Sequence, residues 1–193
     1  MAINPGHHHE HEKHVEDVQS FGFWLYIMSD CLLFASLFAT FIVLQLNVIP
    51  YMFDLKLVLT ETIILLTSSF TFGLALIYTY RQKKCLVLFW MLITFLLGAA
   101  FLAIEMYEFH HLYSEGNSWS KSGYFSAFFG LVGTHGLHVL AGMFWMLLMF
   151  IQVMQKGITA RNKKRLILLS LFWHFLDIIW IFVFSIVYLA GVV

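Results

Sequence analysis

Ten side chains able to bind metals, carry protons or hold charge fall within or at the ends of strongly apolar stretches: Asp30, Glu61, Glu105, Glu108, Asp177, His110, His111, His135, His138 and His174. His135 and His138 are three residues apart, as are His174 and Asp177, so on a helix each pair shares a face. Two imidazoles at matched depth on facing helices are what bis-histidine haem ligation requires, and His138 with His174 is the pair nearest to that condition. A row of carboxylates crossing a membrane would instead carry protons or ions. A second group, His7, His8, His9, His11 and His14, captures metals opportunistically but lacks the pattern of a preformed site. Cys31 and Cys85 make no disulfide framework and read as reduced structural residues.

These residues sit in a chain of 193 residues, 61% of them hydrophobic and 11% charged. A soluble domain of this length has about 25% charged residues. The surface must therefore face lipid. Eleven basic residues balance eleven acidic ones, so net charge gives no sign of a nucleic-acid partner. Residues 1–20 form a polar, His- and Glu-rich tail expected to be poorly ordered. The tail is no signal peptide, having neither a basic leader running into a short apolar stretch nor a small-residue cleavage site, so the apolar segment after it should be retained.

Five apolar segments follow, at approximately 21–48, 55–80, 86–110, 124–153 and 166–192, each reaching the roughly 20 residues that cross a bilayer. They lack the period-two alternation of barrel strands, so the expected fold class is all-α: a polytopic membrane protein of five transmembrane helices in one domain, 21–193. Pro50 marks the first turn on one side and Glu115–Ser122 the second. With the N-terminus inside and the C-terminus outside, nine Lys and Arg residues face the cytoplasm and two face out. The positive-inside rule selects that orientation. Trp24, Trp119 and Trp173 fall near span ends, where interfacial anchors belong.

At about 1.5 Å of rise per residue, Glu61 and Glu105 reach similar depth near the outer side and are able to meet across a helix contact. The same arithmetic places His138 beside Asp177. A charged group at the bilayer centre costs about 2.5–3.5 kcal/mol on insertion scales, so the five carboxylates cannot all stand ionised and unpaired. Haem ligation is disfavoured by the Phe-filled surroundings, with 21 Phe in the chain and no porphyrin-sized gap. A free-standing transporter is disfavoured because no inverted repeat or broken helix is visible. The reading left is that Asp30, Glu61, Glu105, His135, His138, His174 and Asp177 are packing or lipid-contact residues joining helices to one another, to lipid or to a larger subunit. Gly130, Gly133 and Gly136, with Ser68, Ser69 and Gly73, are small residues of the kind that let helices approach.

SAFFGLVGTHGLHVLAG (126–142) and WHFLDIIWIFVFSIVYL (173–189) resemble two helices of subunit III of the haem–copper oxidases. FGFWLYIMSDCLLFASLF (21–38), ETIILLTSSFTFG (61–73) and EMYEFHHL (105–112) are similar to its other shared helices, so the likeness covers everything after residue 20. The count of five spans resembles the form found in bacterial quinol oxidases, the cytochrome bo type in particular; subunit III of another quinol or cytochrome c oxidase, or a free-standing b-type cytochrome, are the alternatives. Asp30 stands where the family usually has Glu. The resemblance implies a non-catalytic subunit of a complex in the bacterial inner membrane that oxidises ubiquinol, reduces oxygen to water and pumps protons. It implies no catalytic, cofactor-binding or metal residue in this chain, haem and copper in a partner subunit I, and further contacts with subunit II, a small subunit IV and lipid. It also implies a V-shaped helix arrangement whose cleft holds lipid.

Overall fold

The computed structural model describes residues 5–45, 55–114 and 122–189, and every element among them is helical. The helices are α1 (Pro5–Gln45), α2 (Leu55–Tyr80), α3 (Lys84–Ser114), α4 (Gly123–Lys156) and α5 (Ala160–Val183), the last continuing into a π-helical segment, Phe184–Leu189. All five contain a stretch long and apolar enough to cross a membrane. Large apolar side chains such as Leu32, Phe70 and Leu137 point outward, as lipid-facing residues do. The expected turn at Pro50, most of the turn at Glu115–Ser122, and Trp119 lie outside the described residues.

The segment expected to be poorly ordered is helical from Pro5 onward. α1 starts there and runs unbroken into the span beginning at Ser20. Proline suits the first turn of a helix because its φ is already helical and its missing N–H would have had no partner there. A second difference concerns α5, which begins six residues before the expected start. Thr159 caps it, its hydroxyl accepting from the Asn162 N–H at 3.3 Å, and the Asn162 amide donates to the Gly157 carbonyl at 2.9 Å. Gly157 closes α4 at φ 71°, a conformation costly for any residue with a Cβ. Arg161, Lys163, Lys164 and Arg165 therefore ride on the first turns of α5 and not in a long loop.

The two short connections, 81–83 with Arg81 and Lys83 and 157–159 between Lys156 and Arg161, share one end of the bundle. Lys84 there donates to the Met154 carbonyl at 2.8 Å, satisfying a C-terminal carbonyl of α4 and placing positive charge at its negative pole. Lys163 lies 3.9 Å above the Tyr80 ring. These contacts pin α2, α3, α4 and α5 together at that end.

α2 lies along α3, α3 against α4, α4 against α5, and α5 returns to α2, closing a four-helix ring. α1 lies outside the ring against α4 and α5. In α5, 56% of the most apolar window is buried, against 22–33% in the other helices, so α5 is the hub. The contacts join all five helices in one bundle and do not divide them into the two arms of a V.

Candidate functional site

The polar residues singled out from sequence gather in three places, each a junction between helices. Lipid offers no hydrophobic incentive for helices to associate, so hydrogen bonds and close packing must hold them.

The first junction joins α1 to α4. Asp30 is buried, and its Oδ2 lies 3.5 Å from Nε2 of the half-buried His138. Nδ1 of His138 donates to the Thr134 carbonyl at 2.7 Å, which fixes the proton on that nitrogen. Nε2 and the Asp30 carboxyl therefore complete a hydrogen bond only when they share one further proton. Phe34 of α1 packs 5.3 Å from the His138 ring. The expected partnership of His138 with Asp177 is replaced by this one. Depth alone allowed both, and α4 turns His138 toward α1.

The second junction ties α5 to α2, α3 and α4. The Trp173 indole N–H donates to Ser68 Oγ at 3.0 Å, and the Trp180 N–H donates to Thr62 Oγ1 at 3.2 Å. Ser69 Oγ and His174 Nδ1 are hydrogen-bonded, with Asp177 Oδ2 3.8 Å from the same nitrogen. A Cβ on Gly98 of α3 would lie 3.0 Å from the Trp173 ring, and one on Gly142 of α4 would lie 3.0 Å from Phe172 and 3.3 Å from Trp173. Trp173 is thus a wedge reaching three helices from the fourth. It is only 1% exposed and is no interfacial anchor. Its N–H finds an acceptor in the core, and two glycines make room for its ring. Trp24, by contrast, is exposed near the start of the first span.

The third junction lies toward the opposite end. Glu61 of α2 and Glu105 and Glu108 of α3 are all buried toward this end, on two helices packed along each other. Tyr188, brought in by the π-helical end of α5, donates to Glu108 Oε2 at 3.3 Å. A Cβ on Gly136 would meet Glu105 Oε1 at 2.7 Å, so this glycine lets the α3 carboxyl lie against α4. Gly130 and Gly73 have no such neighbour, and Gly133 has only Phe109 at 4.0 Å. The small-residue stripe works at one of its three positions. The close approaches at Gly98 and Gly142 were not singled out from sequence.

His135 stands between the junctions, fully buried, its ring 5.2 Å from Trp180, 6.0 Å from Phe101 and 6.4 Å from Phe34. Neither ring nitrogen has a hydrogen-bond partner among the described residues. His138 and His174 address different neighbours, α1 and α2, and so do not frame a common space for a porphyrin. Among the described residues no group of three or more His, Cys, Asp or Glu is arranged to hold a metal ion. His110 and His111 are exposed near the end of α3.

Sequence reasoning missed Glu108 and Tyr188 as members of the acid junction. Glu108 was within reach, three residues after Glu105 and hence on its face. Tyr188 was not, because a π-helical turn shifts the facing of every residue after it.

Comparison with known proteins gives a whole-chain match. The family model described as Cytochrome c oxidase subunit III matches residues 1–192. The chain is 50% identical over 195 residues to "Cytochrome bo(3) ubiquinol oxidase subunit 3" of Pseudomonas aeruginosa, covering 98% of this chain and 93% of that one. It is 54% identical over 176 residues to the protein of the same name from Pseudomonas putida, covering 89% and 85%. A "Probable quinol oxidase subunit 3" of Staphylococcus aureus is 42% identical over 186 residues, covering 93% and 92%.

Proposed function

The chain belongs to the cytochrome c oxidase subunit III family, and from that premise we propose that it is subunit III of a cytochrome bo-type ubiquinol oxidase. It is a multi-pass bacterial membrane protein and part of an oxidase complex, without itself being the catalytic subunit. In this reading the complex lies in the inner membrane, oxidises ubiquinol, reduces oxygen to water and moves protons across the membrane. Subunit I carries haem and copper, and subunits II and IV complete the assembly. The N-terminus lies in the cytoplasm, on the side of the basic connections, and the polar 1–20 segment extends from the 21–193 bundle on that side.

The observation that carries a supporting role is where the polar side chains go. Asp30, Glu61, Glu105, His138, His174 and Asp177 stand at contacts between helices of this chain, and His135 is enclosed by aromatic rings. Such positions stabilise a bundle and present a fixed outer surface to subunit I and to lipid. Affinity purification of the tagged chain in mild detergent, followed by identification of its companions, tests the assignment. Recovery of a large haem-bearing polypeptide in equal proportion is expected; recovery of a homogeneous self-assembly would defeat it.

A further inference from the structure

The carboxyls of the spans and His135 are buried, but His174 is not. Its side chain is 41% exposed, while that of its neighbour Asp177 is 8% exposed. Nδ1 is held by Ser69, with Asp177 3.8 Å away, and this fixes the ring. Nε2 lies on the ring edge away from those partners. Whichever nitrogen carries the proton, Nε2 remains a donor or an acceptor. His174 follows Arg165, the last basic residue in the first turns of α5, by nine positions, roughly 13 Å along the helix and well inside the hydrocarbon.

Ile178 and Ile181 continue the same stripe at i+4 and i+7 and are 53% and 44% exposed. α1 and α2 both pack on α5, and Ser69 of α2 reaches the His174 end of this stripe. The occupant of such a surface must match isoleucine along its length and an imidazole at one depth. Acyl chains offer nothing to a ring nitrogen, and headgroups lie too far away along the bilayer normal. The α4 surface at Leu137, Leu140 and Phe144 is exposed and apolar throughout, which suits lipid.

Building on the assignment above, we propose that the His174–Ile178–Ile181 stripe of α5 is the docking face for a transmembrane helix of a partner subunit. That helix presents a hydroxyl, carboxamide or carboxyl group to His174 Nε2. The test uses the whole complex. A photo-crosslinking benzoylphenylalanine is placed at Ile178 or, separately, at Leu137, and the tagged chain is purified after irradiation. Ile178 should give a polypeptide adduct with a co-purifying subunit, and Leu137 adducts with lipid alone. In parallel, His174→Ala should lower retention of the chain in the complex during detergent challenge about 3- to 10-fold, with His174→Gln restoring part of it. Lipid adducts alone from Ile178, or a subunit adduct from Leu137, in an intact complex would overturn the docking face and leave the subunit assignment standing. Absence of any co-purifying subunit would overturn both.

Discussion

Trp173 shows how much one side chain organises. Its ring is bounded by Gly98 and Gly142 and its N–H is bonded to Ser68, so it links four helices. Trp173→Phe and Ser68→Ala each remove the same hydrogen bond and should destabilise the bundle by about 1 kcal/mol, with the double substitution costing less than the sum. Gly142→Val should cost more, about 1–3 kcal/mol, by forcing the rings of Phe172 and Trp173 aside. Thermal melting of the purified complex, followed by its elution in size-exclusion chromatography, reads both. At Asp30 the prediction turns on proton placement. Because His138 gives its Nδ1 proton to Thr134, the neutral ring accepts at Nε2. The carboxamide introduced by Asp30→Asn can donate to that nitrogen, so this variant should melt close to the parent and Asp30→Ala clearly below it. Equal loss in both would show that the pair requires charge.

At the scale of the elements, the caps explain where sequence reading and structure part. The five helices, their order and their termination near the basic clusters were all legible, because runs of some 25 apolar residues have one solution in lipid. The start of α5 was misread because its first turns are polar and basic, and only the Thr159 and Gly157 geometry marks the boundary. Gly157→Ala, forced to φ 71°, should destabilise by about 1–2 kcal/mol, and Thr159→Ala by about 1 kcal/mol. The partners inside the membrane were harder to read. Depth follows from counting residues, and Glu61 and Glu105 are both buried toward the same end of the packed α2–α3 pair. Facing direction depends on which helices are neighbours, and counting does not supply that. The assignment of His138 to Asp177 failed on this point, and so did the weight given to Gly130 and Gly73.

For the whole molecule, the gathering of basic residues at one end of the bundle makes a prediction about sidedness. Cys85, exposed beside the 81–83 turn, should react with a membrane-impermeant maleimide in inverted vesicles and stay unlabelled in intact cells. Cys31, on the lipid-facing part of α1, is the internal control that should react in neither. Labelling of Cys85 from outside the cell would reverse the topology.

The account depends on intramembrane imidazoles and carboxyls that hold helices together and bind no redox centre. The visible absorbance of the chain, separated from its partners in mild detergent, addresses that claim directly. A spectrum without haem bands, unchanged when His135, His138 and His174 are replaced, is the predicted result; a strong haem band lost with His138 or His174 would contradict it.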